Sequence, residues 1–273
     1  MGLLRLIHSA FDQIMSPWAS LSPLWTLALF SLVTGLLMLL VFRYTSDQER
    51  IRVTKNGIKA HLLELWLFQN HPGIMLSAQA RLLRLNGRYL RLGLKPMIIM
   101  SVPLAFLVIS LDGWFGYRPL RPGEDVILSV EVRDGATGLL GSVLLHGRNG
   151  VAVETPPLRI AQAKEVDWRI RAGAPGIHTV SLESRDRRLE KQVVVGQGLA
   201  RVSPSRLRPD FWQALLYPGE PPIPEYAQIE RIDVGYPARL IRIFRWEVHW
   251  LVVFFAFSMG FALLFKRLLR VEL

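Results

Sequence analysis

The chain has 273 residues, is 51% hydrophobic, and carries 33 Lys and Arg against 22 Asp and Glu, a net charge of +11. That pairing of apolarity with positive charge excludes an ordinary water-soluble globule and fits a membrane protein with basic cytoplasmic segments. With no Cys at all, a disulfide framework, a thiolate nucleophile and a cysteine metal site are ruled out.

Residues 1–20 place Leu4, Ile7, Phe11, Ile14 and Trp18 on one helical stripe, the pattern of an interfacial amphipathic helix. Residues 21–43 form the first expected span, centred on the uncharged run Leu24–Phe42. It starts too late for a cleaved signal peptide, and only Arg5 precedes it among basic residues.

Residues 44–95 read as a helical hairpin. Its turn is Asn70-His71-Pro72-Gly73, which stops one helix and permits reversal. The second arm repeats Met75, Ala78, Leu82, Leu85, Tyr89 and Leu92 in a coiled-coil seam, and the first arm offers Ile51, Ile58, Leu62 and Leu65 in a similar register. Arg81, Arg84, Arg88 and Arg91 lie off the seam. The apolar tip, with Trp66 and Phe68, stands on this basic stalk, so these six residues are the candidates for contact with membrane lipid or a client. His61 and His71 lack the spacing of a metal site.

Residues 96–112 give the second span. Its run Met97–Leu111 contains Pro103 and is followed by Trp114, Phe115 and Tyr117 as an interfacial belt. Residues 113–199 change period. Val126–Arg133 alternates, and six further strand-like runs follow, at Ser142–His146, Val151–Glu154, Leu158–Ala161, Val166–Ile170, His178–Glu183 and Leu189–Val195. Seven short strands between Gly-rich turns predict an immunoglobulin-like β-sandwich with Trp168 in its core. Residues 200–245 form a Pro-rich connector with one short helix at Asp210–Leu216. Residues 246–266 make the third span, flanked by Trp246 and Trp250, and 267–273 a basic tail.

Residues 43–95 hold ten Lys and Arg against Asp47, Glu49 and Glu64, whereas charges in 112–245 nearly balance. Basic residues near span ends mark the cytoplasmic side. The expected architecture is therefore an α-helical, multi-pass inner (plasma) membrane protein with three transmembrane helices. Its N-terminus and β-sandwich lie outside, and its hairpin and C-terminus lie in the cytoplasm. No G-x-S-x-G, P-loop, H-E-x-x-H or G-x-G-x-x-G pattern occurs, so neither enzyme activity nor a cofactor is expected. Nothing in the motifs points to nucleic acid.

The stretch from Val41 to Leu111, "VFRYTSDQERIRVTKNGIKAHLLELWLFQNHPGIMLSAQARLLRLNGRYLRLGLKPMIIMSVPLAFLVISL", is a span end, a hairpin, a short loop and a Pro-containing span. With the third span it resembles the core of the YidC-type membrane protein insertases, over roughly half the chain. The resemblance implies a bacterial protein with a cytoplasm-facing groove that helps client membrane proteins insert or assemble. It assigns the groove to Thr26, Ser31, Thr34, Ser101, Ser110 and Ser258, with Arg43 as the single candidate for the arginine of bacterial insertases. The chain differs from that family in carrying the sandwich. A second reading is a scaffold subunit, anchored by its spans, whose sandwich binds an envelope partner or other membrane subunits.

Overall fold

The structure, a computed structural model, describes residues 2–67, 72–148, 150–184, 187–209, 219–269 and 271. It divides into two compact units, one comprising Leu27–Leu107 and Leu251–Leu273, the other Met1–Thr26 and Val108–Trp250. The expected short helix at Asp210–Leu216 lies outside the described residues.

Five α-helices are described: α1 (Gly2–Met15), α2 (Pro23–Thr45), α3 (Gln48–Leu67), α4 (Pro72–Phe115) and α5 (Trp250–Phe265). A 3-10 turn, Ser16–Ser20, joins α1 to α2. Two of the helices are long and apolar enough to cross a membrane, α2 and the Leu76–Phe115 part of α4.

The break between α2 and α3 is written in side-chain hydroxyls and one carboxylate. Thr45 and Ser46 donate to the carbonyls of Val41 and Phe42, at 2.7 and 2.6 Å. Asp47 then caps α3, accepting from the Arg50 amide at 3.0 Å.

The short loop expected between hairpin and second span does not exist. α4 runs unbroken for 44 residues through Pro96 and Pro103, about 66 Å at 1.5 Å per residue. Each proline forfeits the hydrogen bond to the carbonyl four residues back. Proline's fixed φ is nonetheless helical, and good helix formers, Lys95 and Met97, flank Pro96.

The seam on α4 holds: Ala78 is fully buried and Leu82, Leu85, Tyr89 and Leu92 are half-buried, while Arg84, Arg88 and Arg91 are exposed. The Met75 side chain lies outside the described set. On α3 the seam is corrected. Ile51 is buried and Ile58 and Leu65 half-buried, but Leu62 is exposed. His61 takes the inward place, because a helix advancing from Ile58 brings round the third residue rather than the fourth.

In the other unit all seven expected strands form: β1 (Asp125–Val132), β2 (Leu144–His146), β3 (Val151–Val153), β4 (Leu158–Ile160), β5 (Glu165–Ala172), β6 (Gly176–Ser184) and β7 (Arg187–Val195). Two more, β8 (Ser205–Leu207) and β9 (Ile229–Val234), come from the stretch read as a connector. They extend the larger sheet, whose order is β3-β5-β1-β9-β8 with β4 also on β5. The second sheet is β2-β6-β7. Both sheets contribute to one apolar core, in which Leu128, Trp168 and Ile232 meet Val180, Leu182 and Val193. The connector reading failed because the prolines drew attention and because buried Ile229, Ile232 and Val234 are spaced three then two apart, across a register shift that breaks strict alternation.

The expected third span also changes at its start. Leu240–Ile243 (β10) and Trp246–His249 (β11) form an antiparallel hairpin, so α5 begins only at Trp250. Its 16 residues fall short of the about 20 that a crossing takes.

One ion pair fixes the former connector to the second sheet. Lys191 on β7 is fully buried, donates to the Ser203 carbonyl at 2.7 Å, and pairs with Glu220, itself 3% exposed. Burial pushes the ammonium's pKa down, and the Glu220 carboxylate opposes that shift. Glu220→Gln leaves the cation unpaired and should destabilise the β unit by about 3–5 kcal/mol. The double change Lys191→Met, Glu220→Leu should recover most of that loss in thermal unfolding, because it removes both charges together.

Candidate functional site

The sequence-predicted site residues fall into two groups of different fate. In the first, α2 presents Thr26, Leu27, Ser31, Thr34, Gly35 and Leu39 as its buried face. Thr34 satisfies its hydroxyl locally, donating to the Phe30 carbonyl at 2.7 Å, and Thr26 donates to the Trp18 carbonyl at 3.1 Å. Gly35 is where α2 meets α5: a Cβ built there would lie 2.6 Å from the Ser258 carbonyl oxygen and 3.4 Å from the Ala262 nitrogen. Ser31 with Gly35, and Ser258 with Ala262, are small residues four apart, a spacing that lets two helix backbones approach.

A second contact lies further along both helices. Arg43 donates to the Leu269 carbonyl at 3.0 Å. From Gly35 to Arg43 on α2, and from Ser258 to Leu269 beyond α5, the chain advances in the same direction. The two helices are therefore parallel. Arg43, exposed at the end of α2, serves a terminal carbonyl. Within this packed pair, the hydroxyl oxygens of Ser31 and Ser258 are buried with no hydrogen-bond partner among the described residues, an arrangement that native interiors seldom tolerate.

The other groove candidates are not gathered here. Ser101 is exposed on α4 and donates to its own helix, to the Ile98 carbonyl at 2.8 Å. Ser110, like Thr26, belongs to the other unit, where it lines a small recess with Asp112, Tyr117 and Arg201.

The second group is the hairpin. Glu64 on α3 accepts from Arg81 on α4 at 2.6 Å and pairs with His61 Nδ1 at 2.7 Å. The hydrogen bond with His61, then the charge of Arg81, hold the Glu64 carboxyl below the usual carboxylate range. Arg81 is thus partly consumed in clasping the two arms, whereas Arg84, Arg88 and Arg91 remain turned to solvent. Trp66 is 73% exposed and Leu67 is similarly bare. Phe68 and His71 lie outside the described residues. Among the described residues, no three metal-ligating side chains come together.

Sequence reasoning missed Gly35, Ala262 and Glu64. The small-residue spacings were visible signals for the first two. Glu64 gave a weaker one, as one of three acids in a strongly basic segment.

No protein-family profile matches the chain, and no curated protein matches it. Two solved S-layer structures show limited similarity. One is the S-layer protein SbsC domains 4 and 5, at 17% identity over 30% of this chain and 48% of that one, with a TM-score of 0.24. The other is the S-layer protein rSbsC(31-844), at 16% identity over 34% and 13%, with the same TM-score. The chain therefore spans less than half of either.

Two outcomes test this geometry. Gly35→Ala should lower the thermal transition of the detergent-solubilised protein, because a backbone oxygen must move, a cost of about 1–3 kcal/mol. Gly260→Ala, with open space at its Cβ, should be neutral or stabilising by up to about 1 kcal/mol. For the clasp, the lowered Glu64 pKa means that its stabilisation is present above the free carboxyl's pKa and is lost as pH falls through the folded one. Hairpin protection from protease should decline on acidification, and Glu64→Gln should be less protected at neutral pH and insensitive to that change.

Proposed function

We propose that this chain is a bacterial inner-membrane protein of YidC-type, insertase-like design, which helps client membrane proteins to insert or assemble. In this reading α2, the apolar length of α4, and α5 cross the bilayer. The hairpin α3–α4 stands in the cytoplasm, and an immunoglobulin-like β-sandwich lies outside. The observation that carries it is the parallel pair α2–α5. Two crossings in the same direction need one return between them, and α4 supplies it. The basic hairpin then falls on the side where positive charge is favoured. The short α5 suits a locally thin bilayer. No step calls for a cofactor or a catalytic residue.

The close backbone contact at Gly35 favours a second reading. It leaves no room for a client between α2 and α5, which fits a scaffold subunit that holds other membrane subunits and an envelope partner through the sandwich.

Single cysteines at Ser77 and Gln162, both exposed, should react with an impermeant maleimide from opposite sides of the membrane. Reaction from one side would end the three-crossing arrangement. Photo-crosslinkers placed at Ser101 and Ser258 in cells should give a spread of adducts with newly made membrane segments. A single adduct of constant mass would support the scaffold instead.

A further inference from the structure

α4 carries a second seam that nothing in the chain covers among the described residues. Leu76, Leu83, Leu90 and Met97 recur every seventh residue and are between 64% and 73% exposed. The position three residues before each of the last three holds Ala80, Gly87 and Leu94, and Ser101 continues the series, all exposed. This is a heptad with Leu or Met at d and mostly small residues at a. It lies on a different side of the helix from the seam that α3 covers. Space is open beside Gly87, whose Cβ would meet nothing within 4 Å.

Charge and length choose the occupant. Arg84 and Arg91 follow Leu83 and Leu90 along one edge of the stripe, and no Asp or Glu occurs between Pro72 and Leu111. A second copy laid on this face would bring arginine rows together, which is unfavourable. Lipid headgroups cannot cover it either. With α4 crossing the bilayer near Met97, Leu76 stands about 30 Å away along the helix. We propose that the part of this face that precedes Met97, with Leu76, Leu83 and Leu90, docks an amphipathic helix of another protein, with leucines in heptad register and Asp or Glu along its edges. The small a positions set a close approach, and the arginines select acidic flanks. The proposal rests on the cytoplasmic placement of the hairpin argued above.

The test uses the full-length protein in phosphatidylcholine nanodiscs. The probe is a synthetic helical peptide of about three heptads, with Ala at a, Leu at d and Glu at the edges. Binding followed by fluorescence anisotropy should weaken with salt. It should fall about tenfold or more for Leu83→Ser with Leu90→Ser, for Arg84→Glu with Arg91→Glu, and for a peptide with Lys in place of Glu. The serine variants alter only exposed side chains, so an unchanged thermal transition verifies their fold. Equal binding by a peptide of scrambled leucine spacing, or unchanged binding to the serine variants, would overturn the proposal by reducing the face to diffuse charge. Efficient Leu83→Cys disulfides between copies would overturn it in favour of self-association. Protection of Leu83→Cys from maleimide only in anionic phosphatidylglycerol vesicles would overturn it in favour of lipid. If Ser77→Cys labels from the same side as Gln162→Cys, the membrane arrangement itself has failed. Lost peptide binding with correct labelling sinks the docking face alone.

Discussion

Two helix backbones cannot come within contact of each other unless the residue between them has no side chain. At Gly35 that condition is met, and α2 rests on the Ser258–Ala262 turn of α5. The Arg43 bond to Leu269 sets the direction of the pair. In the proposed arrangement α4 supplies the return between the parallel α2 and α5, and the hairpin takes its side of the membrane from that return. α3 turns away from the end of α2 at Asp47, and α4, clasped to it through Glu64 and Arg81, runs on without a break.

Each unit also handles charge with one well-placed carboxylate. Glu64 accepts from both arms of the hairpin, so a segment crowded with arginine has a fixed crossing point between α3 and α4. Glu220 does the corresponding work in the β unit, where it holds a lysine that would otherwise be an isolated buried cation. The surroundings differ, and so does the energetic meaning. The hairpin clasp is partly wet and worth little as an isolated pair. The Lys191–Glu220 pair is dry, and each half is intolerable without the other.

Period and charge made much of this legible before any coordinates. The seven strands from Val126 to Val195, the α4 seam and the hairpin arms all follow from spacing alone, because side chains repeat every two residues in strands and about every seven along a seam. What escaped was non-local. β9 breaks strict alternation, with Ile229 set three residues from Ile232 where its pairing with β1 shifts register, and its pairing with β1 and β8 gives it a place. The start of α5 was misjudged because Trp246 and Trp250 read as an aromatic span margin, whereas Trp246–His249 pairs with Leu240–Ile243 across a tight turn. Of the serines and threonines assigned to one groove, Ser31, Thr34 and Ser258 share a packed helix pair. Ser101 and Ser110 do not, since hydroxyl content says nothing about which face meets which. Polar residues within apolar helices were treated as a site. Several are simply back-bonded to their own turn, as Thr34 and Ser101 are.

The order of the larger sheet has a consequence for how the β unit is born. β1 is a central strand, with β5 on one side and β9 on the other. During synthesis β5 is available soon after β1, but β9 follows a long, proline-rich interval. Until it arrives, one whole edge of β1 offers unpaired amides and carbonyls to any passing strand. Ile223, Ala227 and Ile232 are also missing from the core during that interval. In order of synthesis, the β9 side of β1 is therefore the last side of that strand to find its partner. Closure by β9 shortly before α5 makes the last stretch of the chain the step that removes that edge.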